Sequence, residues 1–303
     1  MPDHSKISAI ICTYNRQKYL YQVLESIKNQ SLNPLLYEIV IINNNSTDNT
    51  EQICQTYIKD NPGLNFIYVT ESEQGLSAAR NRGIREASGK YLTFIDDDAF
   101  PEKNFLKMVL DYLEQNPEVV AVGGKILLQY EQEKPGWLTS YLSSLFGYFN
   151  PGNKSGEFKK NRYPRGSNMS FRKDVFDQVG VFDTKLGRKG SDMLGSEEKE
   201  LFARIYKMNF LVRYLPTAIV YHNVPPERTT MEFVRNQAVS YGKSEKYYRQ
   251  QHRQLFRMFF QEIFKWIASI VLGFFYSILF QPRKGMMLLR FRYWVNTGMA
   301  MHH

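Results

Sequence analysis

Over the first hundred residues, apolar and polar positions alternate between two periods. "ISAIIC" (7–12) is an unbroken apolar run that suits a strand buried on both faces. "KYLYQVLESIKNQ" (18–30) then spaces its apolar residues three and four apart, the helical period. "YEIVII" (37–42), "NFIYVT" (65–70) and "YLTFI" (91–95) return to the strand pattern. Between them stand "STDNTEQICQTYIKD", with Ser46 and Asp48 as N-cap candidates, and "GLSAARNRGIREASG", a helix closed by Gly89. Strand and helix in turn predict parallel strands with helices on both faces, an α/β Rossmann-like sheet. Ligands of such sheets bind at the carboxyl ends of the strands.

The second half is less regular. Residues 129–165 read as loop, rich in aromatics, Gly and Pro. "GSNMSFR" (166–172) reads as a strand leading into the helix "KDVFDQVG". "EEKELFARIYKMN" (197–209) is an amphipathic helix pattern and "FLVRYLPTAIVYH" (210–222) a strand. No internal repeat or low-complexity segment interrupts them.

"WIASIVLGFFYSILFQP" (266–282) carries no charge and is bounded by Lys265 and Arg283. As one helix it would reach roughly 26 Å, the short edge of a membrane crossing. The flanks mix cations with large apolar residues, as interfacial helices do. Residues 241–303 hold ten Lys and Arg against two Glu, which is nearly all of the net +9. The body is therefore close to neutral and the tail basic. An uncharged run of this kind is a poor surface for tracking phosphates, so a membrane, crossed or lain upon, is expected as the tail's partner and nucleic acid is not, with a buried carboxy-terminal helix as the alternative. The expected division is residues 1–240 as the α/β domain and 241–303 as a helical, membrane-associating region.

Other compositional facts narrow the class. With 43% hydrophobic residues the chain is an ordinary globular one. It runs almost at once into a strand pattern, so no signal peptide is expected. Cys12 and Cys54 lie in apolar or helical settings and suggest neither a disulfide framework nor a zinc site, which suits a reducing cytoplasm.

Polar residues gather at the strand ends: Thr13, Tyr14 and Asn15 after the first, Asn43 and Asn44 after the second, Asp96, Asp97 and Asp98 after the fourth. Adjacent carboxylates repel unless a cation, a basic ligand or solvent stands between them. Asp96-x-Asp98 at a strand end suits a hard divalent cation with positions left for phosphate. Phosphatases of the haloacid class use D-x-D as well, but on their first strand. A dinucleotide site needs G-x-G-x-x-G, and "CTYNRQKYL" contains no glycine.

Six stretches, "ISAIICTYNR", "EIVIINNNSTDNT", "GLSAARNRGI", "YLTFIDDDAFP", "RGSNMSFRKDVFDQVGVFD" and "GSEEKELFARI", stand in the order and spacing of inverting glycosyltransferases of family 2. The resemblance covers roughly residues 5–225 and implies a GT-A-type fold that binds a nucleotide sugar. By it, Tyr14 stacks on the base and Asn43 bonds the base imide, at a position where relatives usually carry Asp. Arg80 meets the phosphates or the acidic cluster. Asp96 meets the ribose, and Asp98 holds Mg²⁺ or Mn²⁺ at the diphosphate. Glu198, beside Glu197 at a helix start, aligns with the catalytic base, a Glu where Asp is usual. Gly166 and Asn168 fall beside the donor sugar and acceptor, and His222 near the metal. Trp137 is a candidate platform for acceptor sugar rings.

The expected activity is transfer of a sugar from a nucleotide-sugar donor to a polysaccharide or lipid-linked acceptor hydroxyl. It proceeds by one inverting, metal-assisted displacement at the cytoplasmic face of a membrane. A non-catalytic nucleotide-sugar binder and a metal-dependent phosphohydrolase or nucleotidyltransferase are the alternatives.

Overall fold

The computed structural model describes residues 5–158, 162–190, 195–251 and 253–301. It divides into two compact units, one formed by Met1–Gln129, Gly147–Gly187 and Glu197–Asn223, the other by Tyr130–Phe146, Arg188–Ser196 and Val224–His303.

The first unit is built on a mixed sheet. Strands β1 (Ile7–Thr13), β2 (Tyr37–Asn43), β3 (Phe66–Thr70) and β4 (Tyr91–Asp96) are parallel, in the order β3-β2-β1-β4. Their side chains alternate between two cores, as a pleated strand requires. Ile7, Ala9 and Ile11 of β1 join Ile39 and Ile41 of β2 on one face. There they meet α1 (Gln17–Lys28), α2 (Thr50–Asp60) and α4 (Phe105–Gln115) through residues such as Leu20, Cys54 and Leu106. Ile10, Val40 and Ile42 point the other way, to α3 (Leu76–Glu86), α5 (Val175–Val179) and α6 (Glu197–Lys207). Burial on both faces is why these strands read as continuous apolar runs.

Beyond β4 the sheet departs from the parallel expectation. β8 (Met169–Arg172) runs antiparallel to both β4 and β6 (Val119–Tyr130). β9 (Leu211–Val224) follows, with the short strands β5 (Ala99–Pro101) and β7 (Gly156–Glu157) antiparallel to it. α3 ends at Glu86, before the glycine expected to close it.

The second unit contains three helices, α7 (Met231–Gln251), α8 (Leu255–Ile278) and α9 (Pro282–Ala300). α7 runs through position 240, and the carboxy-terminal segment of the second unit begins at Val224. The apolar run 266–282 is not one helix: it begins inside α8, and the chain breaks before Pro282, whose fixed φ starts α9. Among the described residues α8 is the one helix long and apolar enough to cross a membrane. α7 and α9 approach closely at glycines, since a Cβ on Gly242 would lie 2.0 Å from Val295 O and one on Gly298 2.0 Å from Val239 O.

Candidate active site

Parallel register brings the polar strand ends level: Thr13 pairs with Asn43, Asn43 with Thr70, and Cys12 with Asp96. The chain then turns through Asp97 and Asp98 into β5, where Ala99 pairs with His222 and Asn223 N–H donates to Asp98 O at 2.9 Å. This pairing carries a histidine from a distant strand to the aspartates. His222 Nε2 lies 3.2 Å from Asp98 Oδ1 and 4.0 Å from Asp96 Oδ2. One ligand atom each from Asp96, Asp98 and His222 falls within 4.8 Å of the others. Asp98 and His222 are buried, whereas the Asp96 side chain is 35% exposed, so the cluster opens on one side. Two carboxylate oxygens and an imidazole nitrogen at such separations fit a divalent cation that keeps open positions.

Asp97 faces a different neighbour. Arg16 Nε lies 3.9 Å from Asp97 Oδ1, and Arg16 Nη2 lies 3.8 Å from Asp98 Oδ2. Burial and then the Asp98 charge push the Asp97 carboxyl up to about 7, while Arg16 and the Thr13 hydroxyl pull the other way. Arg16 escapes a motif reading. Its one signal in the sequence is a cation directly after the first strand's "TYN".

Arg80 is buried and joins the aspartates to the glutamates. Its Nη1 donates to Glu197 Oε1 at 3.0 Å and to Glu198 Oε1 at 3.3 Å, and its Nη2 lies 3.8 Å from Asp96 Oδ1. The guanidinium also sits over the Phe182 ring, 5.4 Å from its centroid. Burial opposes the Arg80 charge, but Glu198, Glu197 and Asp96 outweigh it and hold its pKa above the ordinary arginine value. Both glutamates occupy the first turn of α6. The Glu197 side chain is 5% exposed and that of Glu198 19%, so Glu198 is the more accessible. Gly166 makes room for this arrangement: a Cβ there would lie 2.4 Å from Arg80 Nη2 and 2.6 Å from Glu198 Oε1.

At the outer strand ends the asparagines shape the loops. Asn43 Nδ2 donates to the Tyr68 hydroxyl at 2.9 Å, and its Oδ1 accepts from Ser46 N–H at 3.0 Å. Asn44 Nδ2 donates to Glu71 O and Glu73 O, and its Oδ1 accepts from Gly75 N–H, which ties down the approach to α3. Asn15 takes a positive φ of 52° and accepts from Thr47 N–H at 2.7 Å. Tyr14 beside it is 37% exposed.

Asn168 is a correction. Its Nδ2 donates to Lys125 O and Ala218 O, both at 2.9 Å, and its Oδ1 accepts from Gly124 N–H at 3.0 Å. Both N–H bonds are spent on β6 and β9, so this amide holds the sheet together and has no donor left for a sugar. Trp137 belongs to the second unit, where it lines an apolar cavity with Met231, Pro282 and Met286.

Residues 8–180 match the family described as glycosyl transferase family 2. The glucosyl-dolichyl phosphate glucuronosyltransferase of Haloferax volcanii is 30% identical over 245 residues, 80% of this chain and 76% of that one. Some other relatives are much longer, and the match to the minor teichoic acid biosynthesis protein GgaB of Bacillus subtilis spans 13% of its length. Among solved structures, the mannosyltransferase PcManGT from Pyrobaculum calidifontis in complex with GDP-Man and Mn²⁺ has a TM-score of 0.67. Its identity is 16%, over 98% of this chain and 86% of that chain. A fragment of S. aureus TarS in complex with UDP-GlcNAc has a TM-score of 0.57 and 20% identity, over 78% and 66%. At such identities these two structures speak to the fold, which is of the GT-A type.

Proposed function

The chain belongs to glycosyl transferase family 2, and on that premise we propose that it transfers a sugar from a nucleotide-sugar donor to a lipid-linked acceptor hydroxyl in one inverting displacement. The observation that carries this reading is the convergence of Asp96, Asp98 and His222 on one side of Arg80 with Glu197 and Glu198 on the other. One half is a place for a diphosphate and its cation, the other a place for a base.

Asp96, Asp98 and His222 would hold the cation, and the imidazole in the set favours Mn²⁺ over Mg²⁺. When bound, such an ion stabilises the charge left on the departing nucleoside diphosphate. Tyr14, exposed at the end of β1, offers a ring to the base, while Thr13, Asn15 and Asn43 hold the loops around it. Glu198 engages Arg80 through Oε1, which leaves Oε2 to take the acceptor's proton as its oxygen attacks C1 from the face opposite the leaving group. Glu197, more deeply buried on Arg80, fixes the guanidinium and through it the orientation of Glu198.

The lipid-linked acceptor is supported by the Haloferax relative, whose name gives glucosyl-dolichyl phosphate, and by the apolar helix of the second unit. Such an enzyme would work at the cytoplasmic face of a membrane. The test is the anomeric configuration of the product formed from an α-linked donor, together with the rate of Glu198→Gln. A β-linkage and a fall in kcat of about 10²–10⁴-fold are expected, the range of a lost general base. An α-linkage, or a Glu198→Gln enzyme of normal rate, would overturn the assignment.

A further inference from the structure

The helical unit carries an apolar face that the catalytic residues do not use. Along α8, Phe256, Phe260, Phe264, Ile267, Val271 and Phe274 recur at three- and four-residue steps and are 46–79% exposed. Glu262, Ser269 and Gly273 on the same helix are buried. A stripe of this length can cross a bilayer or lie along its surface.

The register of α9 decides between the two. Gly285 of α9 meets Gly273 of α8, Trp266 Nε1 donates to Asn296 Oδ1, and Arg292 Nη1 lies 3.2 Å from Glu262 Oε2. Asn296, late in α9, also donates through Nδ2 to Glu262 Oε2 early in α8, whereas Gly285, early in α9, meets Gly273 late in α8, so the two helices run antiparallel side by side. A crossing α8 would take α9 through the hydrocarbon with it. The exposed Arg290 and the Glu262–Lys265–Arg292 cluster would then sit near the middle of the span, where charge is most costly. α7 would follow, because it is locked to α9 at Gly242 and Gly298, and it bears Arg235, Lys243, Glu245, Lys246 and Arg249.

We propose that α8 lies in the plane of an anionic bilayer surface, its aromatic stripe sunk to the acyl boundary, and does not cross the membrane. Charge at the same unit fits that partner. A cavity of about 380 Å³ has mostly apolar walls, including Trp137, Met286 and Met287, with Arg283 and Arg290 among its lining residues. The two arginines stand seven positions apart, two turns along α9. Among the described residues neither meets a carboxylate. Apolar walls beside two guanidinium groups complement an acyl chain and the phosphate above it. Arg283 and Lys284 in the first turn of α9 also work against the helix dipole, a cost that a lipid phosphate there offsets.

The choice of a bilayer as partner rests on the membrane reading above. The test is flotation of the full chain with vesicles of phosphatidylcholine alone or mixed with phosphatidylglycerol, followed by an alkaline carbonate wash. Nucleoside diphosphate release is measured in parallel in detergent. The wild type is expected to float with the mixed vesicles and to be released by carbonate. Arg283→Gln/Arg290→Gln should bind the mixed vesicles about 25-fold more weakly, from roughly fivefold per cation near such a surface. Phe264→Ser/Phe274→Ser should float with neither. Both variants should keep wild-type diphosphate release in detergent, so a failed surface is told apart from a failed catalytic assignment. Retention through the carbonate wash would mean that α8 crosses the bilayer and overturn the proposal. A folded wild type that floats with neither vesicle would overturn it as well.

Discussion

Arg80 holds a positive charge where burial alone would disfavour it, because carboxylates from two separate parts of the chain surround it. Its partners Glu197 and Glu198 lie 117 and 118 positions away, so no local pattern reveals the pair. Removing the arginine takes away the buried positive charge that both glutamates share: Arg80→Met is expected to cost about 3–5 kcal/mol of stability, the range for breaking a buried ion pair, as measured by chemical denaturation. Gly166→Ala should behave differently. The added methyl collides only with the flexible ends of Arg80 and Glu198, so the fold should tolerate it while the pair is displaced. The expected outcome is a fall in kcat of about 100-fold, as for a small misplacement at a reacting centre, with an almost unchanged melting temperature. The two asparagines show why motif position is an incomplete guide. Asn43 ends β2 at the carboxyl edge of the sheet with its amide bonded to Tyr68 and Ser46, and the amide of Asn168 is taken up by neighbouring backbone.

At the level of elements, the parallel half of the sheet was legible because both its faces are buried. Ile7–Thr13 and Tyr37–Asn43 can be written almost without a polar interruption, and their ends fall where the ligand edge should be. The antiparallel half was less legible. β5 is three residues long, too short for any period to declare itself, yet its pairing with β9 sets His222 against Asp98. The break between α8 and α9 was written in the sequence as Pro282, but the unbroken apolar run masked it. Glycines in these helices look like weaknesses on propensity alone. In the fold they are contact points, and the methyl of Gly298→Ala would meet the Val239 backbone, which cannot swing aside. That substitution should destabilise the helical unit by about 1–3 kcal/mol, the usual cost of overpacking, despite alanine's better helix propensity. Urea unfolding followed by far-ultraviolet circular dichroism measures it.

For the whole molecule, charge and chemistry are apportioned to different parts. Residues 241–303 carry nearly all of the net +9, whereas Asp96, Asp98, His222, Arg80 and Glu198 belong to the sheet-based unit. The basic tail was visible as composition. That the second unit also draws in Tyr130–Phe146 and Arg188–Ser196 was not, because chain order does not reveal which separated segments pack together. The aspartates and His222 are proposed to form a cation site serving a nucleotide-sugar donor. Its most direct test is nucleoside diphosphate release from a panel of donors with Mn²⁺ or with EDTA, in the wild type and in Asp98→Ala. Release from one donor should stop with EDTA, return with added Mn²⁺, and fall about 100-fold or more in Asp98→Ala, as loss of a ligand to the ion requires. Release that persists in EDTA and survives the loss of Asp98 would mean that the three residues hold no catalytic cation.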